Sequence, residues 1–259
     1  MNKPLILVTN DDGIDAPGIR NLIKAMREIG EVVVVAPDTA QSGKSHSITI
    51  NVPLRYKNGI HEYNYIEYSC NGTPVDCVKL AVKIILDRKP DILVSGINHG
   101  SNASINVIYS GTMAAAIEGT FEGIPSVGFS LDDFSADADF SMASKVAKII
   151  TLKVLEKGLP DDVCLNVNIP AIADDDIKGI KICRQAKGIW EESFETRTDP
   201  HHRPYYWLTG EFKSLDNGID TDVHAMNQGY VAIVPVHCDL TAYSSMQQIS
   251  DWDLTFNKE

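Results

Sequence analysis

The chain has no apolar run approaching the ~18–20 residues a membrane-spanning helix requires, no internal repeat, no low-complexity tract and no long run of one charge. It has no CxxC pair: Cys70, Cys77, Cys164, Cys183 and Cys238 are odd in number and scattered. That spacing argues against a zinc site or a disulfide framework, and for reduced thiols in the cytoplasm. Basic side chains are scarce, 23 Lys and Arg against 35 Asp and Glu, giving a formal net charge of -12. This balance disfavours coating nucleic acid or anionic membrane, yet permits a small phosphorylated ligand in one locally positive pocket. The opening Met1-Asn2-Lys3-Pro4 shows neither a long h-region nor a small-residue cleavage site, so a secretory leader is not expected. With 259 residues, 44% hydrophobic and 22% charged, the composition fits a globular chain of one large or two small domains.

What is present is alternation. Leu5-Ile6-Leu7-Val8 is a continuous apolar run, as expected of a strand buried on both faces. Ile19, Leu22, Ile23 and Met26 then recur at helical spacing between Pro17 and Gly30. Val32 to Val35 predicts a second strand closed by Pro37, and Ser47 to Ser69 shorter, more polar strands, with Tyr63 and Tyr65 alternating with polar neighbours. Thr73-Pro74-Val75-Asp76 reads as a helix start, with Thr as N-cap, Pro in the first turn and an acid after it. Ile92-Leu93-Val94 predicts a strand, Gly96 to Gly111 a Gly/Ser/Asn-rich loop, and Thr112 onward an alanine-rich helix. A strand at Val127 to Phe129, a helix carrying Ala143 to Val154, and a strand from Val163 to Ile169 follow. This succession predicts an α/β fold: a Rossmann-like, mostly parallel sheet flanked by helices, over about residues 1–185 of a single 1–259 domain. From about 186 the period is lost. An aromatic hairpin over Gly188 to Phe212, a late strand at Tyr230 to Val234 and a terminal helix at Leu240 to Trp252 are expected.

In such sheets, ligands bind beyond the carboxyl ends of the strands. The first exit, Asn10-Asp11-Asp12-Gly13, sets two carboxylates side by side, and a divalent cation would offset their repulsion. The second, Thr39 to Ser45, offers hydroxyls, Gly43 and Lys44; it is not a Walker A loop, which needs an earlier glycine and a following helix. The third runs from Ser95-Gly96-Ile97-Asn98 to Tyr109-Ser110-Gly111-Thr112 and ends at a helix N-terminus, where free N–H groups suit a phosphate. Asp11, Asp12, Ser42 and Asn98 are four oxygen donors that these exits can bring to one hard cation, Mg2+ or Mn2+. Asn10, Gly43, Asn102, Ser110, Gly111 and Thr112 are the candidate substrate contacts, with Thr112 also a candidate N-cap. His46 and His99 are read as surface histidines or substrate contacts.

These segments, in order, resemble the SurE (stationary-phase survival) family of metal-dependent nucleotidases. The resemblance rests on Ile6 to Gly13 with Ala16-Pro17-Gly18, Ala36-Pro37 through Gln41-Ser42-Gly43, Asn71 to Val78, Ser95 to Asn98 with Gly100 and Asn102, and Tyr109 to Thr112. Weaker echoes lie at Asn166 to Pro170 and Thr221-Asp222. It implies that Asp11, Asp12, Ser42 and Asn98 hold one divalent cation per subunit, with Asp11 and Asp12 catalytic. It also implies hydrolysis of nucleoside 5′-monophosphates with broad base tolerance, 3′-monophosphates and short polyphosphate being further substrates. A cytoplasmic homodimer or homotetramer exchanging C-terminal segments is the implied assembly. One stretch departs: Ala103-Ser104-Ile105-Asn106 stands where many relatives carry Leu-Gly-Asp-Asp.

A haloacid-dehalogenase-type phosphatase wants Asp-x-Asp, whereas here the acids are adjacent. A non-enzymatic receiver domain needs an aspartate at the end of a central strand, where this chain has Asn98. A dinucleotide-binding dehydrogenase lacks its G-x-G-x-x-G after the first strand.

Overall fold

The apolar runs become the centre of a sheet because both of their faces are covered. In the computed structural model, which describes residues 3–252 and 254, the first half comprises β1 (Leu5–Thr9), α1 (Pro17–Arg27), β2 (Glu31–Pro37), β3 (Tyr56–Glu62), β4 (Tyr65–Cys70), α2 (Pro74–Leu80), β5 (Ile92–His99), α3 (Asn106–Tyr109), α4 (Gly111–Phe121) and β6 (Ser126–Leu131). The second half comprises α5 (Ser141–Lys157), β7 (Val163–Ile169), β8 (Ile180–Ile182), β9 (Gly188–Thr198), β10 (Pro204–Ser214), α6 (Asp222–Asn227), β11 (Val231–His237) and α7 (Tyr243–Ser250). The main sheet runs β3-β4-β2-β1-β5-β6-β7-β11-β8. The pairings from β4 through β7 are all parallel, whereas β3 and β11 run antiparallel to β4 and β7.

Side-chain alternation sorts the strands onto two cores. Ile6, Val8, Val32 and Val34 face α1 and α5 on one side of the sheet. Leu5, Leu7, Val33 and Val35 face α2 and α4 on the other, with Cys77, Val78 and Ala115. The Thr73 capping box forms as the sequence requires: Thr73 Oγ1 accepts from the Asp76 N–H, and Asp76 accepts from the Thr73 N–H.

Four expectations change. Residues 47–55 form no strand. Pro53 lacks a donor, and the segment is tied down by side chains instead: Thr73 Oγ1 donates to the Ser47 carbonyl (2.8 Å) and the Thr49 N–H to Asp76 Oδ1 (3.1 Å). Tyr63 lies in the β3–β4 turn, 93% exposed, because Asn64 takes the left-handed conformation that reverses the chain. The loop expected from Gly96 is partly strand, since β5 continues to His99, and it contains the short α3. The hairpin is present as β9 and β10, paired from Gly188–Ser214 to Thr198–Pro204. The terminal helix is shorter than expected, and residues 253 and 255–259 of that segment lie outside the described residues. No described helix is long and apolar enough to cross a membrane, and all five cysteines are free.

Candidate active site

The chain leaves β1 toward β2 on one side and later returns to place β5 on the other, so the carboxyl ends of β1 and β5 form a switch point. Asp11 at the exit of β1, Ser42 and Gly43 in the loop after β2, and Asn98 near the end of β5 line one cavity of about 650 Å3. Asn102 and Ser110 share its wall. The loop after β2 is drawn in by the Gln41 N–H, which donates to the Asp11 carbonyl at 2.7 Å. Asp12 stands beside this group, its Oδ2 accepting the His99 N–H at 3.1 Å. Asn10 is buried beneath, its amide nitrogen donating to the Gly13 carbonyl at 2.8 Å.

Burial dominates the electrostatics. It pushes the Asp11 carboxyl up to about 6, against the Thr112 hydroxyl, which donates to Oδ1 at 2.5 Å; the neighbouring Asp12 charge raises it further. Asp12 is likewise raised by burial, opposed by the His99 N–H. Two desolvated carboxylates adjacent at one strand exit are a standing electrostatic cost that a cation would relieve.

The neutral donors are arranged to match. Asn98 spends its amide nitrogen on the His99 and Gly100 carbonyls (3.1 and 2.8 Å), which leaves Oδ1 as its free acceptor. The Asn10 Oδ1 is buried without a hydrogen-bond partner among the described residues. No group of three or more His, Cys, Asp or Glu side chains is gathered for a metal among the described residues. An ion here therefore rests on two carboxylates plus neutral oxygens, and that set fits a hard divalent cation.

The start of α4 differs from expectation. Ser110, not Thr112, is the N-cap, its hydroxyl oxygen accepting the Met113 N–H at 3.0 Å. Thr112 is fully buried with its hydroxyl spent on Asp11, so the positive end of this helix serves Asp11 before any ligand. Gly111 makes that approach possible: a Cβ there would lie 2.7 Å from the Asp11 Cβ. Asn102 is nearly buried too. Its N–H donates to Asn168 Oδ1 (2.7 Å), its amide to Ser130 Oγ (2.6 Å), and its carbonyl accepts from Asn166 Nδ2 (2.8 Å), so the echo at 166–168 is the scaffold of this loop.

Asp222 at the other echo is fully buried and accepts the N–H groups of Ser104 (2.8 Å), Ala186 (2.9 Å) and Val223 (2.8 Å). It thereby pins the departing segment, where Ser104 takes a left-handed φ of 56°. His46 turns away from the cavity to Glu118 (2.9 Å), which also receives Lys79. His99 lines the cavity and meets Phe140 edge-on, with Nε2 buried and unpartnered among the described residues. Sequence reasoning missed the far wall: Asn106, Phe134, Trp190, Glu192 and Leu208. Trp190 carried a signal, as an aromatic in a hairpin without period, but nothing in the sequence says where the hairpin folds.

The family model described as Survival protein SurE matches residues 6–192. Relatives named 5′-nucleotidase SurE include one from Flavobacterium psychrophilum, 60% identical over 98% of this chain and 99% of its own length. Another, from Christiangramia forsetii, is 58% identical over 97% and 98%. Among solved structures, the SurE protein from Aquifex aeolicus superposes with a TM-score of 0.82 at 41% identity, covering 95% of this chain and 98% of that one. Paired acids at a switch point, a hydroxyl loop after β2, an oriented Asn98 and full-length similarity agree, and the chain belongs to the SurE family.

Proposed function

We propose that this chain hydrolyses nucleoside 5′-monophosphates to nucleoside and phosphate, with one divalent cation, Mg2+ or Mn2+, per subunit. The observation that carries this is the desolvated Asp11 carboxylate, lining the cavity that Ser42 and Asn98 also line, with the desolvated Asp12 next to it in the chain and held by the N–H of His99, itself a lining residue. The names of the relatives supply the substrate class. Asp11, Asp12, Ser42 and Asn98 hold the cation, which when bound supplies positive charge and Lewis acidity at the phosphoryl group.

The chain's own groups do the rest. Thr112 fixes the Asp11 carboxylate, and the His99 and Gly100 carbonyls fix Asn98, so the donors need little reorganisation on binding. Gly43, Asn102 and Ser110 line the cavity as candidate phosphate contacts, and the buried Asn10 braces the first exit through the Gly13 carbonyl. β9 and β10 supply one wall of the cavity through Trp190, Glu192, Leu208, Thr209 and Gly210. The chain works in the cytoplasm as a homodimer or homotetramer, consistent with five free thiols and with the exposed Tyr243, Met246 and Ile249 along α7.

The test is phosphate release from 5′- and 3′-monophosphates, short polyphosphate and sugar phosphates, with Mg2+, with Mn2+ and with chelator. Release from 5′-monophosphates that depends on the cation is expected. Equal release in chelator, or release from sugar phosphates alone, would overturn the assignment.

A further inference from the structure

The cavity is lined by two kinds of group. Asp11, Ser42, Gly43 and Asn98 supply polar atoms, and Tyr109, Phe134, Trp190 and Leu208 bring large apolar groups to its wall. These four side chains are 39 to 78% exposed, an unusual gathering of uncovered apolar surface around one opening. Trp190 is fixed in orientation, since its Nε1 donates to Asn106 Oδ1 at 2.8 Å and its ring meets Phe212 edge-on at 6.1 Å. A rigid aromatic wall of this kind suits a flat heterocycle.

A charge stands on the same hairpin wall as Trp190. Strand alternation puts Glu192 on the same face of the hairpin as Trp190, directly across from Gly210. Both line the cavity. A Cβ at position 210 would lie 2.8 Å from the Glu191 carbonyl, so glycine keeps the cross-strand position beside Glu192 clear. Glu191 and Glu195 are neutralised by Lys213 and Arg197, whereas Glu192 has no cationic partner among the described residues. A carboxylate facing a ligand cavity without a counter-charge is an acceptor seeking donors.

We propose that Trp190 and Glu192 form a base-reading wall of the cavity and that Glu192 selects guanine. This rests on the nucleotidase reading and names its preferred substrate. Guanine presents two adjacent donors, N1–H and the 2-amino group, which one carboxylate accepts together. Adenine and cytosine offer one amino donor beside a ring-nitrogen lone pair, and uracil one N–H between two carbonyls; each sets a lone pair against the carboxylate. The selection is a preference in affinity and is compatible with turnover of every base.

The experiment uses nucleosides, which carry no phosphate, so its readout does not depend on the cation or on turnover. Guanosine and adenosine are titrated calorimetrically into the full chain and into Glu192→Gln and Trp190→Ala. The full chain is expected to bind guanosine about tenfold or more tighter than adenosine, the scale of one charge-assisted hydrogen bond. Glu192→Gln, whose amide pairs with adenine instead, is expected to abolish or invert that ratio, and Trp190→Ala to weaken both nucleosides alike. A ratio within twofold in the parent chain, a ratio unchanged by Glu192→Gln, or no binding of either nucleoside overturns the inference. Phosphate release from the four monophosphates separates the two readings. Hydrolysis without guanosine selectivity leaves the nucleotidase and removes the base site; guanosine selectivity without hydrolysis does the reverse.

Discussion

Replacing Asp11 with Asn should stabilise the metal-free protein while removing its activity. Burial holds the Asp11 carboxyl at about 6, against 3.8 for an ordinary aspartate. That difference amounts to about 3 kcal/mol lost by the fold when the group is ionised. The folded value lies above the unfolded one, so the native state holds the extra proton between about pH 4 and 6. Stability from this group is therefore present in acid, falls as pH rises through that window, and is gone at pH 7.5. Asparagine is neutral throughout, and its Oδ1 still accepts from the Thr112 hydroxyl. In chelator at pH 7.5, Asp11→Asn should melt roughly 5–10 °C above the parent chain. At pH 4 the two melts should converge. Phosphate release with saturating cation should fall by orders of magnitude. A variant less stable than the parent at pH 7.5, or a gain of equal size at both pH values, would refute the claim that Asp11 is a desolvated charge.

Other positions test other parts of the account. Gly111→Ala sets a Cβ 2.7 Å from that of Asp11 and must push the start of α4 away; kcat for phosphate release should drop at least about tenfold while the far-UV spectrum is retained. Asp222→Ala leaves the buried N–H groups of Ser104 and Ala186 and the part-buried N–H of Val223 unsatisfied, and denaturant melts should show a loss of about 3 kcal/mol or more. Glu67 is driven up by burial but held below its usual range overall by Arg20 and Tyr65. Its contribution is thus present above the unfolded value and lost as pH falls through the folded one, so the destabilisation by Glu67→Gln should be about 1–2 kcal/mol at pH 7 and vanish in acid.

The sheet was legible because its central strands are buried on both faces and so appear as unbroken apolar runs, such as Leu5 to Val8 and Val32 to Val35. The exits were legible for a related reason: polar and acidic residues directly after such runs have few structural reasons to be there. What escaped was whatever depends on distant partners. Residues 47–55 carry strand-like residues, but their hydrogen bonds go to Thr73 and Asp76, which no local pattern reveals. Thr112 shows a hydroxyl at a helix start, and only the close approach of the α4 N-terminus to the exit of β1 shows that the hydroxyl belongs to Asp11. Glu192 and Trp190 lie far along the chain from Asp11, joined to it only by the fold of a hairpin that has no periodicity of its own.

The central claim is that Asp11, Asp12, Ser42 and Asn98 hold one divalent cation at the cavity. Titration of the full chain with Mn2+, followed by electron paramagnetic resonance of the free ion, tests it directly. One Mn2+ should bind per chain, with affinity lowered at least about tenfold in Asp11→Asn and in Asn98→Ala alike. Undiminished Mn2+ binding in both variants would contradict the account.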